Sequence, residues 1–600
     1  MPIDPRLLVI VPAISLTLGL TGCGNNDDAA PSAPIPSAST TLNSAGQTKV
    51  APYALALPGS GFEIMPLVTV GDNVPLLTGS YPNWTADVTK TFAMTGIPDG
   101  LGYFQSGGSN WVWMQHELGN TVSTDFSKDF TGTIKGARIS VFQFDDSWRC
   151  LGGRNLITKL VNEGVEVGTI NVDTSAKTVA QTGYNFGRFC SGYLAATGFV
   201  DPVSGSEVPV WFAAEESDGN SQGWACYPSG TAEAITGLGR YSKEQVFALK
   251  NYRAQNNTKT VLLSTEDGDS LDSEVYMWVG TQTTTDPNGL AAANGKLYVL
   301  KISGADTEAT VGSLDATSAD LLIPSTATAA SWTEVPAATA TAATGADIKT
   351  FVEGSTSGVR NSTSFTRVED LHEDPANPGT IWFCTTGGRN DNKFGRLYKM
   401  VLNGTDPIGA ATVQRMLQGG GAGGTGNGAT ATSQGVAYDN LVVDSKGLVV
   451  LQEDRNSTVD TLLYTERRNG RVLTFNPADG KVKFLLECNQ AAIDSATPGG
   501  VETGGNGPGN WESTGIVEGP ASLATADRVP YVFAIQAHSV RNASGSIAKL
   551  NGAHAEGGQL ILAKPSSMPT GVAWSPLPGS TPAWNVGDAL ALSRLGRIAP

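Results

Sequence analysis

The chain is short of the residues that usually mark a catalytic or cross-linked framework. Of 600 residues only four are histidine and six are cysteine, far too few cysteines for a disulfide scaffold. Positive charge is also scarce, with 39 Lys and Arg against 56 Asp and Glu and a formal net charge of −17. Nucleic acid is a poor partner for such a surface, because phosphate contact needs basic residues. A small anion would have to meet a local positive centre, such as a metal or an arginine. Helical periodicity is rare, and "SKEQVFALKNYRAQ" (Ser242 to Gln255) is the best helix candidate. The stretch "QGGGAGGTGNGATATSQG" (Gln418 to Gly435) has no Lys-Ser/Thr after it and is no phosphate-binding Walker loop. No Ser/His/Asp motif is recognisable, and the lone His372 is no His-Glu-x-x-His site.

What is present begins with an apolar run, Leu7 to Leu20, ending in "LTGC" at Cys23. It is short for a transmembrane helix and suits a signal peptide over residues 1–22. Leu-Thr-Gly-Cys resembles a bacterial lipobox, which makes Cys23 the expected lipidated first residue of the mature chain. Residues 23–50 read as a polar, Pro/Ser-rich tether. The expectation is an exported protein, membrane-anchored on a periplasmic or cell-surface face. Removing Cys23 leaves five cysteines, an odd number, so at least one has no partner within the chain.

Residues 51–600 read as one all-β domain. Apolar runs stop at polar residues again and again: "NWVWMQHE" at His116 and Glu117, "VPVWFAAEES" at Glu215 and Glu216, "KTVLLSTEDGD" at Glu266 and Asp267. "GTIWFCTT", "GLVVLQED" and "VPYVFAIQAH" do the same, the last at His538. Glycine-led strands return after each. Repeated strand pairs without helices between them predict a β-propeller with loop insertions near 303–347 and 418–435. The apolar runs would be innermost strands covered on both faces. Their polar ends would then converge at one mouth of the channel. Carboxylates gathered there need compensating charge, which divalent metals supply.

Within "TSFTRVEDLHEDP", Arg367 and Glu369 share a face of an extended strand. A guanidinium beside a carboxylate is either a structural ion pair or, next to metals, a bidentate clamp for phosphate oxygens. His372 follows. Asp439-Asn440 in "YDNLVVDSKG" offers oxygen ligands to a hard cation or forms an Asx turn, and Asp-Ser-Lys-Gly marks a hairpin.

The set "IPDGLG", "QHELG", "CSGY" through "WFAAEES", "RVEDLHEDP" and "YDNLVVDSKG" resembles the PhoX-type alkaline phosphatase family over roughly residues 60 to 565. The resemblance implies an exported propeller whose calcium and iron cluster hydrolyses phosphate esters. It makes Cys190 an iron ligand and Glu266 and Glu369 metal-bound glutamates. Arg367 becomes the phosphate-binding arginine. His116-Glu117, one of Glu215 and Glu216, and Asp439-Asn440 match further metal-binding stretches. The chain departs where the family has two asparagines before the cysteine; here stand Arg188 and Phe189. His372 and His538 are then expected as extra nitrogen ligands, which points to a manganese- or iron-type pair and a related phosphotriesterase branch.

The expected function is metal-dependent phosphoester hydrolysis by a monomer, with Arg367 and Glu369 as the catalytic pair. A binuclear phosphotriesterase, a calcium-dependent propeller lactonase and a non-catalytic binding propeller are the alternatives.

Overall fold

The computed structural model describes residues 42–566, apart from 119–122, 126–132, 174–177, 185, 218, 251–257, 312–320, 355–357, 390, 421–433, 455–462, 464–467, 490–510 and 539–556. The expected signal peptide, Cys23 and residues 23–41 of the tether lie outside the described residues, as does most of the glycine-rich segment 418–435. Residues 42–50 pack on the domain: Thr48 Oγ meets Thr69 Oγ at 2.9 Å, and Arg149 donates to the Ser44 carbonyl at 2.7 Å.

The chain folds into a β-propeller. Six strands are innermost: Pro98–Ser106, Phe189–Val200, Lys243–Ala248, Val368–Glu373, Tyr438–Val443 and Trp511–Glu518. Each neighbours the next, and the last returns to the first, so they enclose a channel. Numbered in this order, they head blades one to six. Blades three and four share a nine-stranded sheet, joined where Thr328–Glu334 pairs with Ala411–Gln418. The alanine- and threonine-rich segment 303–347 is therefore not simply a loop, since it supplies this joining strand.

The apolar runs are the second strands, not the innermost ones: Ser109–His116, Glu207–Glu215, Lys259–Glu266, Thr380–Thr385, Val449–Glu453 and Tyr531–Ala537. A second strand has neighbours on both edges and blades on both faces. Its side chains are buried almost without interruption, which favours continuous apolar sequence. The innermost strands crowd around the axis and need small or polar residues instead. A Cβ on Gly102 would stand 2.3 Å from Leu194 Cβ, and one on Gly515 2.4 Å from the Asp99 carbonyl. The helix expected at Ser242 to Gln255 is, over Lys243–Ala248, the innermost strand of blade three. Its residues alternate too weakly for a strand to be seen locally, and the ring, not propensity, fixes its state.

Two long-range pairings close the propeller. Phe62–Thr69 adds to Gly557–Pro565 in blade six, and Ala54–Ala56 adds to Lys481–Cys488 in blade five. All five described cysteines are buried and free. No helix among the described residues is long and apolar enough to cross a membrane.

Candidate metal centre

Every innermost strand begins opposite the end of its blade's second strand. In blades one to five the first pair is followed by a bulge, with three residues advancing against two on the partner. A bulge re-aims side chains and sharpens the local bend. Blade six places its irregularity later, at Gly515. The second residues of these strands are Asp99, Cys190, Glu244, Glu369, Asp439 and Glu512. The residues just after the second strands are Glu117, Glu216, Asp267, Thr386, Asp454 and His538. Two rings of six positions thus meet at one mouth. Their carboxylates and Cys190, together with Arg367, line one small cavity.

The propeller repeat turns these rings into a repeated ligand set. The second residue of one blade, the residue after its second strand and the second residue of the next blade bring ligand atoms within 4.8 Å of one another. Asp99, Glu117 and Cys190 form one such set; Cys190, Glu216 and Glu244 the next; Glu244, Asp267 and Glu369 a third; Asp439, Asp454 and Glu512 a fourth. Blade four breaks the series because Thr386 stands where blades one, two, three and five have an acid, its hydroxyl held by Glu369. In blade six His538 Nε2 lies 3.4 Å from Glu512 Oε2.

Nine carboxylates line this cavity. Burial, then the neighbouring acids, raise Asp99, Glu244 and Asp439 well above the usual carboxylate range. Glu369 and Asp454 are raised in the same way. Burial lifts Glu216 to about 8, against the pull of Arg188. Among the described residues no hydrogen-bond donor or cation reaches the carboxylates of Glu244 or Asp439. Buried charge in this density calls for cations. The oxygen-only sets fit calcium, magnesium or manganese, and Cys190 adds a softer donor suited to iron or zinc.

Two arginines stand at the mouth, each immediately before an innermost strand. Arg367 has a left-handed backbone (φ 55°), as do Ile97 and Ala437 at the same position of blades one and five. Such a conformation costs a non-glycine residue about 1–2 kcal/mol and is typical of functional sites. Arg367 Nε and an amino group grip Asp267 at 3.0 and 3.1 Å, and the guanidinium also reaches Glu369 at 3.2 Å. Arg188 spans Glu117, at 3.1 Å, and Glu216. The Cys190 thiol donates to the other oxygen of Glu216.

Glu117, Cys190, Glu216, Glu369 and Asp439 are thus gathered with Arg367 as the sequence suggested, and His538 stands at the edge. Three expected ligands are elsewhere for one shared reason: each is the last residue of a second strand and is held within its surroundings. His116 Nε2 meets Ser140 Oγ at 2.7 Å and Nδ1 the Gly96 carbonyl at 3.0 Å. Glu215 accepts from Tyr184, Gly187 and Gln222, and Glu266 pairs with Lys349 and Tyr276. The residue that follows each one points to the centre instead. Asn440 is a strap: its carbonyl accepts from Thr514 Oγ and Gly515 N at 2.7 Å. With Ser191 and Asp370 it laces the blades just below the rings. His372 lies further down, in a separate cavity of about 280 Å³, edge-on to Phe247. Asp99, Glu244 and Glu512, which also line the centre, were not singled out in the sequence, and Asp267 and Asp454 showed only as polar strand ends. An acid in the second position of "PDG", "KEQ" and "WES", as in "YDN", was the signal that could have found Asp99, Glu244 and Glu512.

Fold and site together define a β-propeller with a polyanionic, arginine-bearing centre at one channel mouth. The chain belongs to the alkaline phosphatase PhoX family, whose model matches residues 225–525. Among solved structures it is similar to Pseudomonas fluorescens PhoX in complex with vanadate, a transition state analogue. The TM-score is 0.55 at 15% identity, covering 89% of this chain and 97% of that one. That likeness carries the propeller fold. The α-L-arabinofuranosidase PaAbf62A from Podospora anserina matches at 9% identity and TM-score 0.24, over 66% of this chain and 92% of that one. Sqt1 from Chaetomium thermophilum matches at 9% and 0.28, over 79% and 84%. Scores this low support no argument about this chain. No curated protein matches it in sequence.

Proposed function

We propose that this protein is a metal-dependent phosphoester hydrolase working at the channel mouth. The observation that carries the reading is the convergence of nine buried carboxylates and a strained arginine on one cavity. Family membership supports phosphate-ester chemistry. So does the vanadate held by the P. fluorescens relative, a group that mimics a phosphoryl transition state.

Glu244, Asp267 and Glu369, and separately Asp439, Asp454 and Glu512, are the residues that would hold the cations. Divalent ions in such sites supply Lewis acidity and a bound water of lowered pKa. Arg367 contributes a planar fork of donors, held in place by Asp267 and Glu369. It faces the equatorial oxygens of an incoming phosphoryl group and neutralises charge that grows there. Glu369 is fixed by Arg367 and the Thr386 hydroxyl, so it cannot rotate away from the cluster. No protein nucleophile is needed.

The phosphotriesterase alternative drew on His372 and His538 as nitrogen ligands. The placement of His372 in the lower cavity removes half of that support. Arg367, a phosphate clamp for which a lactonase has less use, weighs against the lactonase reading.

The test pairs metal analysis with hydrolysis of phosphomono-, di- and triesters. Arg367→Ala should lower kcat/KM by roughly 10²–10³-fold with metal content kept, and Glu369→Gln should lose both metal and activity. Metal-free protein, or activity that survives chelation, would overturn the proposal. We also propose export and anchoring through Cys23, on the sequence alone. Fractionation of a Cys23→Ala variant tests this, and a variant still in the membrane fraction counts against it.

A further inference from the structure

Arg188 occupies the same place in blade two that Arg367 occupies in blade four, immediately before the innermost strand. Each reaches back to the acid after the preceding blade's second strand, Glu117 for Arg188 and Asp267 for Arg367. They differ in how they use their donors. Arg367 turns Nε and one amino group on Asp267, and that same amino group also reaches Glu369. Arg188 puts one amino group on Glu117 and the other on Glu216, bridging acids from two blades as a cation would.

The surroundings complete that bridge. Glu117 has Arg188 on one oxygen and the Gln536 amide on the other at 3.1 Å. Glu216 has Arg188 on one oxygen and the Cys190 thiol on the other. Asp99 accepts from Thr514 and from Gln536. The two ligand sets that share Cys190 are therefore supplied with internal donors at every acid but Glu244. The sets beyond them contain Glu244 and Asp439, which among the described residues have none.

We infer that the Arg188 guanidinium is a resident counter-cation that takes the place of a metal ion between Glu117 and Glu216. The ions of the centre then sit on the far side, at Glu244–Asp267–Glu369 and Asp439–Asp454–Glu512. This rests on the metal-dependent reading of the site. A fixed guanidinium cannot be chelated or exchanged, and its pKa keeps it charged at any working pH.

Metal counting by elemental analysis tests the inference on full-length protein equilibrated with excess manganese or calcium and freed of unbound ion. Arg188→Ala should bind about one more equivalent per chain than the wild type, while Arg188→Lys, which keeps a cation, should stay nearer the wild-type number. Glu117→Gln should leave the number unchanged, because Glu117 serves the arginine. An unchanged count in a folded Arg188→Ala overturns the inference. So does a count that falls in Glu117→Gln, and this arm decides if Arg188→Ala does not fold. Wild-type protein with no metal at all would overturn the metal centre itself, so the two failures are distinguishable.

Discussion

Single residues in this fold do work that depends on one position of offset. At the end of a second strand, His116, Glu215 and Glu266 are bonded within the protein, while the next residues, Glu117, Glu216 and Asp267, reach the centre. The sequence shows both members of each pair and cannot say which one turns inward, because the bulge that decides it lies on the other strand. His372 shows the same limit. Burial lowers its pKa to about 4, below the ordinary value near 6.5. The unfolded chain therefore takes up a proton between pH 6.5 and 4 that the folded state refuses, so this contribution to stability is full above pH 6.5 and is lost as pH falls. The ring borders a cavity, and the loss should be about 1–3 kcal/mol at pH 4. His372→Gln should gain on the wild type as pH drops from 7 to 4.5 in denaturant titrations. Parallel stability curves would contradict this.

At the scale of elements, second strands were legible and innermost strands were not. Six apolar runs announce themselves because they are covered on every side, whereas "PDGLGYFQS" mixes glycine, acid and apolar residues. Its small residues answer to the axis, a constraint no local pattern displays. Asp99, Glu244 and Glu512 were lost with their strands, while Glu369 and Asp439 showed in their local motifs and Cys190 through the family resemblance. The constraint can be measured at Gly515. Its φ is 44°, and an added methyl would meet the Asp99 carbonyl at 2.4 Å and Leu101 N at 2.9 Å, forcing blades six and one apart. Overpacking of this kind costs about 1–3 kcal/mol, on top of backbone strain. Gly447 also has a positive φ, 80°, but its methyl would meet open space in the Asp444–Gly447 hairpin. Gly515→Ala should lower Tm clearly more than Gly447→Ala. Equal losses would mean that contact at the axis is not what requires glycine.

Across the whole molecule, ring closure brings together what sequence keeps apart. Phe62–Thr69 pairs with Gly557–Pro565, and Gln536 donates to both Asp99 and Glu117. Such contacts have no local signature. They concentrate acid at one mouth of a chain that already carries a formal net charge of −17, and pH should reveal the cost. Without metal, Asp99, Glu244, Glu369, Asp439 and Asp454 are held well above their usual range, and Glu216 is held near 8. Groups raised in the folded state stabilise it while protonated, and that stability drains away as pH rises through their folded pKa values. Bound cations reverse the sign, since they favour the ionised carboxylates and compete poorly at low pH. The Tm difference between metal-loaded and chelator-treated protein should therefore widen from pH 5 to pH 8. A difference that stays level or narrows would mean that the buried acids are neutralised by something other than exchangeable metal.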